Sequence, residues 1–223
     1  MRKKLIVTIL FTAFLLTACG TTKESKRMEV PKTTWGMTVE EALDAYEITA
    51  EEADSYEEGE RSAFFTITDY ELFGEEASKI YFNFIDVQDN GENRLCDVDI
   101  VYSDDADMEK VCKELESTYG KTVEQLTLYG GYQVLDDTLM EHEYEDSDTV
   151  KLWKGATVAE QIGEKKLEEY CGKWKEYQPN LTDENWDEFS KNAGMSTIIC
   201  YNEEMKRVSF EGFNWVVYDQ IEN

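Results

Sequence analysis

The chain has one histidine and two prolines among 223 residues, and only 22 Lys and Arg against 49 Asp and Glu, a formal net charge of −27. None of its five cysteines forms a Cys-x-x-Cys pair, and no apolar run reaches the roughly 20 residues of a membrane-crossing helix. Each shortage excludes something. Serine–histidine catalysis has only His142 to draw on, inside Glu141-His142-Glu143-Tyr144-Glu145. That stretch reads as a solvated loop, a poor place to hold a base rigidly. Zinc needs Cys or His clustered at short spacing, and there is no such cluster. No Gly-rich phosphate loop of the P-loop or dinucleotide type is present. The scarcity of bases disfavours nucleic acid and any docking to anionic lipid through a basic patch. Cationic partners, proteins and divalent metals remain.

What is present is a folding chain. Hydrophobic residues make up 41% and aromatics 13%, too much apolar surface for a disordered acidic tail. The first residues form an address: Arg2-Lys3-Lys4 is a positive n-region, and residues 5–16 are apolar apart from Thr8 and Thr12. Leu16-Thr17-Ala18-Cys19 follows. This order resembles the signal peptide and lipobox of bacterial lipoproteins. The resemblance covers residues 1–20 and implies cleavage before Cys19 and a diacylglycerol on its sulfur. Its two acyl chains make the anchor stable, whereas one acyl chain binds only reversibly. The expectation is therefore a chain lipid-anchored on the extracytoplasmic face of the cell membrane. Loss of residues 1–18 removes three bases and no acid, taking the net charge from −27 to −30. Residues 19–34 are polar, contain Pro31 and read as a flexible tether.

Three segments share a helix-start pattern of Thr with Glu or Gln three residues on: Thr38 with Glu41, Thr122 with Gln125, and Thr157 with Glu160. Each reads as a capping box. Their unequal spacing argues against a tandem repeat. Between the first two, period-2 alternation marks strands at Phe65 and Ile67, at Ile80, Phe82 and Phe84, and at Cys96, Val98, Ile100 and Tyr102. Asp97 and Asp99 lie on the wet side of the last strand. Asp89-Asn90-Gly91 reads as a tight hairpin turn. A helix from about Asp107 carries Met108, Val111, Cys112, Leu115 and Tyr119 on one stripe and ends at Gly120. Residues 35–132 thus read as a helix, a three-stranded meander and a helix.

Residues 130–150 read as a linker or surface loop. A helix over 158–174 follows, then a short helix capped by Thr182 and carrying Trp186 and Phe189. The closing strands are expected at 197–201 and 207–218, with Gly212 marking a bulge. Residues 151–223 therefore form a second α+β module, separate from the first or continuous with it. The fold class is α+β, antiparallel sheet with helices packed on one face.

Cys96, Cys112, Cys171 and Cys200 fall on apolar faces. Outside the cell they can form two disulfides, and Cys96–Cys112 with Cys171–Cys200 would each staple a helix to its sheet. The alternative is four buried free thiols. Asp86, Gln88, Asn90, Gly91 and Asp97 fall at positions 1, 3, 5, 6 and 12 of an EF-hand frame, but with Gln at 3, Asp at 12 and strands for flanks. The expectation is a hairpin turn, with weak calcium binding by acidic stretches such as 51–60 and no dedicated cofactor. Trp153, Trp174, Trp186 and Trp215 can line a groove or fill a core.

Trp35-Gly36-Met37-Thr38-Val39-Glu40-Glu41-Ala42 followed by a meander looks like the opening of small modules in bacterial lipoproteins of unassigned function. It is also distantly similar to outer-membrane assembly lipoproteins of the β-lactamase-inhibitor-like fold. Those begin with two helices, whereas here one precedes the meander and one follows it. The resemblance implies protein binding through an exposed sheet face. Together these features point to a lipid-anchored acidic binding module for a protein or cationic ligand, with no catalytic residues assigned. The alternatives are a surface hydrolase using paired carboxylates and a calcium-stabilised structural lipoprotein.

Overall fold

The computed structural model describes residues 27–129, 141–145, 147–177, 186, 190, 194 and 196–222, with strands 125–129 and 141–145 described by their backbone alone. The elements run α1 (Val39–Ala45), β1 (Ser55–Glu58), β2 (Ser62–Ile67), β3 (Tyr70–Leu72), β4 (Glu75–Ile85), β5 (Arg94–Tyr102), α2 (Met108–Tyr119), β6 (Gln125–Tyr129), β7 (Glu141–Glu145), β8 (Val150–Thr157), α3 (Val158–Ile162), α4 (Glu164–Tyr177), β9 (Ser196–Asn202), β10 (Arg207–Glu211) and α5 (Phe213–Glu222).

Eight strands form one antiparallel sheet in the order β1-β2-β4-β5-β10-β9-β8, with β3 paired to β4, while β6 and β7 form a separate pair. The two halves of the chain are therefore continuous: β10 sits between β5 and β9, pairing Phe210 with both Val98 and Ile199. The fold is α+β, and the five helices just given all cover the same face. Phe65, Ile80, Phe82, Phe84, Val98, Ile100, Val208 and Phe210 line that face at 1% exposure or less. Buried side chains from all five helices join them in one core. A stack of Phe65 on Phe82, with Tyr46 edge-on, holds one end (centroids 4.5 and 4.9 Å). Phe73, Tyr119 and Phe210 close the other. The expected strands over 65–67, 80–84, 96–102 and 197–201 are all present.

Two of the three expected capping boxes form. Thr38 Oγ1 accepts from Glu41 N (3.2 Å) while Glu41 Oε2 accepts from Thr38 N (2.8 Å), and Thr157 with Glu160 repeats this at 3.0 and 2.9 Å. The third does not. The Val123 N–H donates to Leu152 O (2.8 Å), and β6 follows in place of a helix. Strand pairing wins because Leu126 and Leu128 alternate about Thr127, a period of two. The helix expected over 158–174 breaks at Gly163, whose φ of +83° ends α3. The strand expected over 207–218 stops at Glu211, and α5 begins at Phe213. Val216 and Val217 are both buried, which a one-faced strand cannot achieve.

Gly212 is therefore a strand-to-helix junction and not a bulge. A Cβ there would lie 2.1 Å from Trp35 Cδ2. Trp35 needs that space because the segment expected to be a tether is part of the fold from residue 27 onward. Met28 and Val30 are buried. The Trp35 indole N–H donates to Arg27 O (2.9 Å), Tyr119 Oη to Glu29 O (2.8 Å) and Tyr46 Oη to Pro31 O (3.0 Å). Arg27 stacks over Trp215 and pairs with Asp219 at 2.6 Å, clasping the N-terminal segment to α5. The expected helix capped by Thr182, with Phe189, lies outside the described residues, apart from helical Trp186 and Ser190. Among the described residues no helix is long and apolar enough to cross a membrane.

Candidate functional site

The face turned away from the helices carries the concentrated chemistry. Strand alternation that aims Phe82, Val98 and Phe210 into the core aims their neighbours outward. Register then aligns Asn83, Asp97 and Glu211 in one row across β4, β5 and β10, and Tyr81, Asp99 and Ser209 in the next. Arg207 stands beside Val101 in the third row. Three carboxylates are thus answered by one guanidinium. Arg207 Nε donates to Asp99 Oδ1 (2.9 Å), its Nη2 bonds Oδ2, and Ser209 Oγ donates to Oδ1 (2.6 Å). Asp99 draws the cation, leaving Asp97 with only the Asn83 amide (2.6 Å).

Asp97 and Glu211 face each other directly, and like charges in that position oppose ionisation. Loss of solvent, then the Asp99 and Glu211 carboxylates, push Asp97 well above the usual range. The crowded sheet surface and Asp99 raise Glu211 as well, although its side chain keeps contact with solvent. Asp99 and Asp97 in turn hold Arg207 firmly protonated. A groove of about 480 Å³ opens at the β1 side of this cluster, lined by Glu57, Gly59, Ser62, Phe64, Asn83 and Asp97 among others. Glu57 and Asp97 are three strand spacings apart, about 14 Å between backbones. Carboxylates acting together on one glycosidic bond lie about 5–10 Å apart. Toward β8 the same face turns apolar: Leu152 and Ile198 are buried with Val123, Val150 and Cys200 packed on them.

The other sequence candidates are scattered. None of the four described cysteines is in a disulfide. Cys171 belongs to the helix-side core, whereas Cys200 lies on the opposite face beside Leu152. The sheet therefore separates that expected pair. Burial pushes both thiols up to about 11, which leaves them weak nucleophiles at neutral pH. In the calcium frame, fully buried Asp86 accepts the Gln88 and Gly91 N–H groups (3.0 and 2.5 Å), and Asn90 Oδ1 accepts the Glu92 N–H (3.0 Å). The turn they organise spans eight residues between β4 and β5, with positive φ at Asp89 and Gly91. It is wider than the expected tight Asn-Gly turn because Asp86 binds both sides of it. Among the described residues no three His, Cys, Asp or Glu side chains come together as a metal-holding group.

The backbone of His142 lies in β7 opposite Leu128, so its surroundings are a strand and not the expected loop. Trp153 fills the core: it is fully buried and donates to Gly120 O (2.8 Å). Cys19 lies outside the described residues. Sequence alternation marked Asp97 and Asp99 as a wet face. It missed Glu211 and Arg207, because only the pairing of β10 with β5 brings them there. No family model matches the chain, and neither does any curated protein or solved structure.

Proposed function

We propose that this chain is a lipid-anchored extracytoplasmic binding module for a cationic protein partner. The observation that carries the reading is the sheet face that no described helix covers, where Asp97, Asp99 and Glu211 outnumber Arg207 beside an open groove. A patch of that sign steers a basic partner and gives binding that weakens with salt. The net charge of −27 adds a long-range field of the same sign.

The anchor rests on the residues around Cys19. Only eight steps of chain separate Cys19 from Arg27, where the packed fold begins. Fully extended, they reach about 28 Å at most. The module would stand close above the bilayer, its acidic surface held off anionic headgroups by repulsion. Growth with a palmitate analogue tests this half: label should appear on the wild-type chain and vanish with Cys19→Ser. Label surviving that change would refute the anchor. For the binding half, the full chain retains partners from its native envelope and releases them in salt steps. An unrelated protein of equal charge is the control. A basic protein held by this chain alone supports the reading, and equal retention by the control refutes it.

A further inference from the structure

The two ends of the large sheet differ in what they offer. At one end, β8 continues into a neighbour, since Leu152 O accepts the Val123 N–H. At the other, β1 is paired among the described residues only with β2, and all four of its residues are exposed. The Gly59 N–H donates to Ser62 O (2.8 Å), which sets the phase of the β1–β2 ladder. Ladder bonds alternate in an antiparallel pair, so the backbone groups of Tyr56 and Glu58 point off the sheet. Glu57 faces the groove, and Tyr56 and Glu58 project on the other side of the strand. Residues 51–60 hold six exposed acids and no base.

A free edge pairs with any available strand unless something discriminates. Here the acids repel a second copy of this chain, itself strongly negative, and attract a positive strand. We propose that β1 takes up an extended basic segment of a partner protein by strand addition. Its backbone would pair with Tyr56 and Glu58 and its alternate Lys or Arg side chains would meet Glu57 and the groove. Main-chain bonds give such a complex its affinity, and side-chain positions give its specificity. The inference rests on the binding-module reading and names its partner's chemistry and its site.

The test uses the full-length chain in non-ionic detergent. The probe is a fluorescent peptide of alternating lysine and valine, long enough to span β1. A second peptide of equal charge carries N-methyl groups on alternate residues in both phases, so it cannot add a strand. The unmodified peptide should bind, bind less tightly as salt rises, and slow hydrogen exchange at the Tyr56 and Glu58 amides. N-methylation should weaken binding by about tenfold or more, the cost of the lost backbone bonds. Tyr56→Pro, which removes an outward N–H, should do the same with β2 pairing intact. Equal binding of the two peptides would overturn strand addition while leaving electrostatic binding in place. So would protection of other amides but not these. Failure of the lysine peptide to bind at low salt would also overturn it. The salt-step retention experiment then decides separately whether the chain is a cationic-partner module at all.

Discussion

The two faces of the sheet are built from the same strands and obey opposite rules. On β5, Val98 and Ile100 are fully buried under helices, while Asp97 and Asp99 between them look the other way. The covered face is held by area and shape: aromatic rings in contact and no charge. Around Asp97 and Asp99 the bare face is held by hydrogen bonds and by the Arg207–Asp99 pair among three acids, an arrangement that trades stability for a charged surface. A pleated strand makes that division available to any alternating sequence, and partner strands decide what each face accumulates.

Truncation on the covered face should give the largest effect. Phe82 is fully buried between Phe65 and Tyr46. Phe82→Ala should cost about 3–5 kcal/mol, read from urea unfolding. Its neighbour Tyr81 points to the bare face and is only half-buried, so Tyr81→Ala should cost about 1 kcal/mol. Equal losses would mean that the bare face is also packed as a core.

Next in size is the junction where the chain passes from β10 to α5. Gly212→Ala drives a methyl into the Trp35 ring and should cost about 1–3 kcal/mol. A smaller ring in Trp35→Phe should return part of it in the double variant, a coupling that contact predicts. Strict additivity would show that the N-terminal segment does not press on Gly212 in solution.

How much of this was legible beforehand follows the same division. Phe65, Phe82 and Ile100 announced the covered face by local alternation, and Thr38 and Thr157 announced helix starts by short-range capping. Three errors arose where two local patterns coexist. Phe213, Trp215 and Val217 fit a strand, while Phe213, Val216 and Val217 fit a helix, and packing against Trp35 and the core chose the helix. Thr122 carried a capping pattern that lost to pairing with β8. Gly163 interrupted a helical stripe whose apolar spacing looked continuous. The bare-face site was half legible: Asp97 and Asp99 could be seen, but Arg207 stands about a hundred residues away and joins them only through non-local pairing. Residues 27–34 look like a tether in sequence because Met28 and Val30 are too few to show periodicity, although Tyr46 and Tyr119 hold the backbone beside them.

Removing the cation that binds Asp99 should have an intermediate effect. Arg207→Gln leaves Asp99 with Ser209 and takes the directly bonded positive charge from a group of three carboxylates. Arg207 keeps 40% of its side-chain surface exposed, so the loss should fall well below that of a fully buried pair, about 1–2 kcal/mol at neutral pH. An unchanged urea midpoint would mean that solvent screens the cluster completely.

The smallest and most discriminating change is Asp97→Asn. Asp97 faces Glu211 across the strands, Asp99 along its own strand, Asn83 from β4 and Arg207 more distantly. Its native carboxyl titrates above the ordinary range, as does that of Glu211. In the pH interval between the unfolded and native values, the folded chain binds more protons than the unfolded chain. Stability from these two groups is therefore greatest below the ordinary carboxylate range and falls as pH rises through their native values. Asparagine keeps a hydrogen-bonding partner for Asn83 and removes the charge. The variant should match wild type in acid, exceed it at neutral pH by up to about 1 kcal/mol, and show a shallower decline between. Comparing the two chains cancels carboxylates elsewhere, such as Glu222, which salt bridges to Lys173 and Lys166 push the opposite way. A stability difference independent of pH would show that Asp97 is ionised alike in both states, and that the bare face tolerates its charge without strain.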